Sequence, residues 1–315
     1  MLKILFINQP GPEYAQSQLY HGLKSLGHIV WDYPYNQTFH FEELKECNVD
    51  CSIGPCNQQS KIGCTRHSAH LTLKDYPQMP LDIERVIDQI DLVVTNNGFG
   101  YEELYKLLKH IPIAVLDLGD SKHSSYDIWC KCIGKEPTAF FRREYQIGQK
   151  GHPLTYSFYR ERSKFPPYRE LKYNMSCMFR PTNIMRQEII DSIKTVPELF
   201  IGTLQYSDYL NRISESKFVL DLPGAGITCV RTSEIAGRGS VIVRPQQKEV
   251  FIEHDFKDML NCVEYTSKKE LLEKIEYLLK NRVVYDYLRL NSWAHYHAYY
   301  TTEARASELL TKVGL

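Results

Sequence analysis

SKFVLDLPGAGITCVRTSEIAGRGSVIVRP, Ser216 to Pro245, carries the pattern that decides the fold. Lys217 to Leu222 is a mainly apolar run suited to a strand covered on both faces. It stops at Pro223-Gly224-Ala225-Gly226, where the missing side chains of Gly224 and Gly226 let a ligand approach the backbone. A helix is expected over Thr228 to Ala236, its first-turn N–H groups unpaired and facing an anion, followed by a strand over Ser240 to Arg244. Arg231 and Glu234 stand three apart, on one helical face. The guanidinium fork of Arg231 matches a diphosphate, and Glu234 could accept both hydroxyl hydrogens of a ribose. Taken alone, the two could form a surface pair worth about 0.3 kcal/mol. Strand, Gly-x-Gly, Arg, Glu and then Gly237-Arg238-Gly239 before another strand form a more specific order, and that order favours a nucleotide site.

The same alternation extends in both directions. Upstream, strand Tyr173 to Phe179 leads through Arg180-Pro181-Thr182-Asn183 into helix Ile184 to Lys194, then strand Leu199 to Ile201 and helix Tyr206 to Ser214. Arg180 and Asn183 are candidate phosphate or sugar contacts at the start of that helix, with a plain cap by Asn183 as the alternative. Downstream come strand Leu260 to Tyr265, helix Lys268 to Lys280, and a helical region from Val284 through WAHYHAYY to Leu310. At helical spacing Trp293, Tyr296 and Tyr300 read as one packed face, in a helix that crosses back onto the first domain.

The first half repeats the theme. Lys3 to Asn8 is a strand, broken at Gln9-Pro10-Gly11-Pro12, before a helix from Glu13 to Leu26 that ends on Gly27. A strand over His28 to Tyr33 completes a βαβ opening. From Tyr35 to Pro80 a Cys-, Asn-, Gln- and Gly-rich insertion interrupts the pattern. It resumes with helix Leu81 to Ile90, strand Leu92 to Thr95, helix Tyr101 to His110, strand Ile113 to Leu118 and strand Thr138 to Phe141. The fold class is therefore α/β, with two doubly wound domains, 1–160 and 161–315, facing one another across a cleft.

Composition removes several alternatives. The 315 residues carry 38 Lys plus Arg against 38 Asp plus Glu, so no general positive field exists to hold duplex nucleic acid. A local basic stretch, Phe140 to Lys172, keeps a DNA partner open, with a solvated loop as the alternative. No apolar run approaches the roughly 18 residues of a membrane helix. MLKILFINQPGP reads as a first strand and not as a signal peptide, so a cytoplasmic protein is expected. Nine cysteines, an odd number, do not suggest a disulfide framework. Cys47, Cys51, Cys56 and Cys64, with His67 and His70 behind them, could close a zinc site. They lack a C-x-x-C pair, and packing is the favoured role. Cys130 and Cys132 are read the same way.

With these residues in place, the chain resembles the GT-B glycosyltransferases, closest to the spore-coat CgeB-like and group 1 or exostosin-like branches. The likeness rests on Ser216 to Pro245, Val263 to Asn281, Tyr299 to Leu310, Leu26-Gly27-His28-Ile29-Val30, Asp117-Leu118-Gly119-Asp120 and Phe141-Arg142-Arg143-Glu144. It implies a nucleoside-diphosphate sugar donor, a UDP-sugar by preference, held by the second domain, with the acceptor on the first. Donor contacts would be Gly224, Gly226, Arg231 and Glu234, joined by Arg180, Asn183 and Gly11. Many retaining members carry two glutamates eight positions apart, and the first would fall at Gly226, so the resemblance leans toward inversion. No Asp-x-Asp motif is present and no cofactor is implied. Positive side chains would then offset the charge of the leaving group.

An inverting transfer needs a general base on the first-domain side of the cleft. Asp120, just past a strand end, is the first candidate, followed by Glu13 and His123. Asp120 could equally be a turn residue. A non-catalytic nucleotide-sugar-binding protein, or an epimerase on the same fold, is the competing expectation.

Overall fold

The computed structural model describes residues 1–8, 14–33, 83–96, 101–119, 125–179, 184–224 and 226–315. The insertion expected over 35–80, with Cys47, Cys51, Cys56 and Cys64, lies outside them. The first sheet holds β1 (Lys3–Ile7), β2 (Ile29–Tyr33), β3 (Leu92–Thr95), β4 (Ile113–Asp117), β5 (Ala139–Arg142) and β6 (His152–Pro153). All are parallel, in the order β2-β1-β3-β4-β5-β6.

Alternation along each strand explains why these runs read as continuously apolar. Ile4, Phe6, Leu92, Val94, Ala114 and Leu116 face helix α1 (Tyr14–Ser25). Leu5, Ile7, Val93, Ile113 and Val115 face Tyr105 of α3 (Glu102–Leu107) and Trp129 of α4 (Tyr126–Ile133). A short helix, α2 (Ile83–Val86), precedes β3. Each face is dry, so both residue parities must be apolar.

The second sheet, β7 (Tyr173–Cys177), β8 (Leu199–Ile201), β9 (Ser216–Leu220), β10 (Val241–Pro245) and β11 (Val263–Tyr265), is also parallel, in the order β11-β10-β9-β7-β8. One face packs against α5 (Ile184–Ile193), α8 (Lys268–Lys280) and the start of α9 (Arg282–Tyr299). The other meets α6 (Tyr206–Ser214), α7 (Val230–Gly237) and the end of α9. The boundary expected at 160 lies in the segment between the two sheets.

The terminal helical region is two helices. α9 ends at Tyr299, and α10 (Thr302–Val313) restarts after Thr301, whose hydroxyl accepts from Ala304 N at 3.2 Å. Ala306, Leu309 and Leu310 of α10 join the core formed by Ile4, Phe6 and Leu19, on the first domain. Helices α1 and α10 meet at Gly22, where a Cβ would come 2.1 Å from the Thr302 carbonyl oxygen. Tyr296 and Tyr300 are buried, and Trp293 packs on Phe165 with ring centroids 5.2 Å apart. These rings clamp the inter-sheet segment: Tyr296 Oη donates to Phe158 O at 3.1 Å, and Phe158 N donates to Tyr300 O at 2.9 Å.

The basic stretch is largely neutralised. Arg142 pairs with Asp117 at 3.0 Å, Lys150 with Glu136 at 3.8 Å, Arg160 with Glu303 at 3.7 Å, Lys164 with Glu170 at 3.8 Å and Lys172 with Glu215 at 2.5 Å. Arg142 and Arg143 are buried. What reads as a cationic run is thus distributed over separate local pairs. No helix among the described residues is long and apolar enough to cross a membrane.

Candidate functional site

In an open parallel sheet a ligand crevice forms where strand order reverses, outside the carboxyl ends of the strands. In the second sheet that point lies between β7 and β9, the neighbours from which β8 and β10 lead in opposite directions. Phe179 follows β7, and the glycine turn follows β9. Over the Phe179 ring stand two guanidiniums, Arg186 from α5 at 5.1 Å and Arg231 from α7 at 5.2 Å. Arg186 Nη2 donates to Pro223 O. Arg231 Nη1 donates to Leu222 O and to Asp221 Oδ1, both at 3.3 Å. Burial lowers the Arg186 pKa, and the neighbouring Arg231 charge lowers it further. Asp221 offsets the charge of Arg231, whereas Arg186 meets a backbone carbonyl.

Asp221 anchors the turn from below. It is buried, its other oxygen accepts from Thr232 Oγ1 at 2.5 Å, and burial raises its pKa although Arg231 and Thr232 pull it down. The turn closes on itself through Gly224 N to Gly226 O at 3.0 Å. A Cβ at Gly224 would meet only Arg186 Nη2, at an ordinary contact distance of 4.0 Å.

Glu234 is buried on the inner face of α7. Its Oε1 accepts from Tyr206 Oη at 3.0 Å and its Oε2 from Tyr209 Oη at 2.8 Å. The two tyrosine rings stack, with centroids 5.9 Å apart at 22°. The structure therefore does not make an i, i+3 surface pair of Arg231 and Glu234: they reach different partners. Tyr209→Phe removes one of the donors that hold this carboxylate and is expected to cost about 2 kcal/mol of stability. Urea unfolding of the two proteins measures it, and a difference below 0.5 kcal/mol, on the order of a surface change, would contradict this account of Glu234.

The backbone N–H groups of the segment leading into α7, just before its N-cap Cys229, are engaged. Glu144, just past β5, accepts from Ile227 N at 3.2 Å, Thr228 N at 3.0 Å and Thr228 Oγ1 at 2.7 Å. This contact joins the two domains. Beside it lies a small pocket of about 30 Å³, lined by Thr155, Asp221, Thr228, Cys229, Arg244 and Asp255 among others. Arg244 pairs with Asp255 at 2.9 Å and Glu264 at 2.7 Å; these carboxylates raise its pKa against the opposing effect of burial.

Of the residues singled out from sequence, Gly224, Gly226 and Arg231 lie at the turn after β9, whereas Glu234 is buried further along α7 against Tyr206 and Tyr209. Arg180, Asn183, Gly11, Asp120, Glu13 and His123 lie outside the described residues. Their segments connect β7 to α5, β1 to α1 and β4 to α4, at the carboxyl ends of strands. Asp117, also in the Asp-rich strand end, is committed to Arg142 at 3.0 Å and Ser125 at 2.8 Å. Sequence reasoning missed Arg186, Tyr206, Tyr209 and the partners of Glu144. Only the Tyr206, Tyr209 spacing at the start of a helix after Ile201-Gly202 offered a local signal. Cys130 and Cys132 are half-buried free thiols. Among the described residues no group of three or more His, Cys, Asp or Glu could hold a metal ion.

Comparison with known proteins bears on this geometry. Residues 188–311 match the family model described as glycosyl transferase-like. No curated protein matches the chain. Among solved structures, Anabaena Alr3699/HepE in complex with UDP-glucose superimposes with TM-score 0.59 at 11% identity, covering 100% of both chains. An alpha-glucosyltransferase in complex with UDP-glucose and DNA containing an abasic site gives TM-score 0.56 at 10% identity, again over 100% of both chains. A glycosyltransferase from Rickettsia africae ESF-5 gives 0.58 at 12% identity, over 99% of this chain and 98% of that one. With a parallel-sheet domain in each half and the glycosyl transferase-like match in the second, the chain has a GT-B fold.

Proposed function

We propose that the chain is a glycosyltransferase that moves a sugar from a UDP-sugar to a hydroxyl acceptor. The observation that carries this is the pair Arg186 and Arg231, set over Phe179 at the reversal point of the second sheet. In the transfer, the bond from the anomeric carbon to the diphosphate oxygen breaks, and its electron pair leaves on UDP. The two guanidiniums offset that charge without a divalent metal. The acceptor oxygen forms the new bond to the anomeric carbon and loses its proton to a base. Asp120 is the base in this reading, with Glu13 and His123 next in order. Gly226 stands where many retaining relatives place a carboxylate, which supports inversion. Glu234, held by Tyr206 and Tyr209, serves the ribose; Gly224 and Gly226 admit the diphosphate, with Arg180, Asn183 and Gly11 as further donor contacts. HepE and the alpha-glucosyltransferase were both solved with UDP-glucose, which supports uridine as the donor nucleoside. The second of them also holds DNA, so a nucleic-acid acceptor belongs in the trial set.

Calorimetric titration with UDP, GDP, dTDP and ADP tests the donor site. UDP is expected to bind most tightly, and Glu234→Ala to weaken it. If none of the four binds, the reading is wrong. Where a product forms, the anomeric configuration by proton NMR separates inversion from retention, and donor binding without turnover on any acceptor would favour a nucleotide-sugar-binding protein.

A further inference from the structure

The contact between Glu144 and the start of α7 lies outside the donor contacts set out above. We propose that Glu144 is a positioning residue: from the first domain, its carboxylate fixes the 226–228 turn of the second domain in the shape that receives the donor. The inference rests on the donor reading under Proposed function and adds to it that the two domains build the donor turn jointly.

Glu144 is itself held firmly. Its neighbour Arg142 is locked to Asp117 at 3.0 Å, and Arg143 donates to Tyr156 Oη while its guanidinium lies 5.2 Å from that ring. The Glu144 side chain is 1% exposed. From this base it receives three hydrogen bonds, two from consecutive backbone N–H groups and one from a hydroxyl. Those N–H groups belong to the two residues before Cys229, the N-cap of α7, and so set the entry of the chain into that helix. A carboxylate there is favoured both by the charge-assisted bonds and by the helix dipole.

A rival account makes Glu144 a placeholder that a donor phosphate expels. Two observations favour positioning. The guanidiniums suited to a diphosphate attach at Leu222 and Pro223, upstream of the glycines, whereas Glu144 attaches at Ile227 and Thr228, downstream of them. Expulsion would also strip a buried carboxylate of three partners at once, which is costly.

Glu144→Gln and Thr228→Val, singly and together, test this with UDP titrations and melting temperatures on each protein. Gln keeps the size but places an N–H₂ among donors; Val keeps the shape and removes the hydroxyl. Glu144→Gln is expected to raise the Kd for UDP about tenfold, and Thr228→Val about threefold. The double variant should be no worse than Glu144→Gln, because both changes act through one contact. If wild type binds UDP and Glu144→Gln leaves the Kd unchanged while lowering the melting temperature, the role is only structural and the proposal falls. A tighter Kd overturns it in favour of the placeholder. Should Glu144→Gln fail to fold, Thr228→Val decides, and an unchanged Kd there rejects positioning. Wild type binding none of UDP, GDP, dTDP and ADP removes the donor reading and this proposal with it.

Discussion

Arg231→Met is expected to lower the affinity for UDP by about 10- to 100-fold, the worth of one charge-assisted bond to a phosphate, and to make folding stability strongly dependent on pH. The second effect follows from Asp221. Arg231 is its charged partner, at 3.3 Å, and the carboxylate is 5% exposed. Losing the partner of a buried charge costs about 3–5 kcal/mol when that charge must persist. Asp221 has an escape, because burial already lifts its pKa above the ordinary carboxylate value. Without Arg231 the rise is larger, and the folded variant takes up a proton. A carboxyl whose pKa is raised by folding contributes stability below the unfolded value and loses it as pH climbs through the folded one. The variant should therefore approach wild type in acid and fall away from it toward neutral pH. Urea unfolding at several pH values checks this, and a stability gap independent of pH would rule it out. A UDP affinity equal to wild type would separate Arg231 from the donor.

Gly22→Ala should destabilise the chain by about 3 kcal/mol, at the upper end for overpacking. A Cβ there meets the Thr302 carbonyl oxygen at 2.1 Å, its carbon at 2.6 Å and Ala306 Cβ at 2.9 Å. Backbone cannot turn aside as a side-chain tip can, so α10 must lift from α1. The helix-propensity gain of alanine over glycine, about 1 kcal/mol, offsets only part of that. Gly27→Ala is the control: nothing lies within 4 Å of its Cβ, and only the positive φ of 83° is penalised. Denaturant midpoints of the two variants measure the difference, and equal values would show that the helices can separate slightly without loss.

Local pattern was sufficient where an element satisfies itself. Leu92–Thr95, Leu199–Ile201, Tyr206–Ser214 and Lys268–Lys280 have the bounds their periodicity and flanking residues suggest. Helix α4 was missed because Tyr126–Ile133 mixes aromatic, cysteine and β-branched residues, with low intrinsic preference for a helix. Strand β6 has two residues, too few for any period. The break between α9 and α10 was legible in principle, since Thr301 is a good N-cap, but the aromatic periodicity runs through it.

The site was half legible for the same reason. Arg231 and Glu234 sit beside the glycine turn in sequence. Arg186 meets its partner Pro223 from 37 positions away, and Glu144 meets Thr228 from 84. Contacts of that range are set by the order of strands in the sheets, and no window of sequence contains both ends. The local pairing of the basic run from Arg142 to Lys172 was not legible, because the carboxylate partners Asp117, Glu215 and Glu303 lie outside it, although Glu170 lies within.

The seating of α10 on the first domain also constrains how the chain matures at the ribosome. The nascent amino-terminal half can form its strands early, but one flank of that sheet stays wet until Ala306, Leu309 and Leu310 emerge. Completion of the earlier-made lobe thus waits on α10, translated after every strand of the second sheet, and a product arrested or clipped before that helix would expose oily surface on the lobe that was built first.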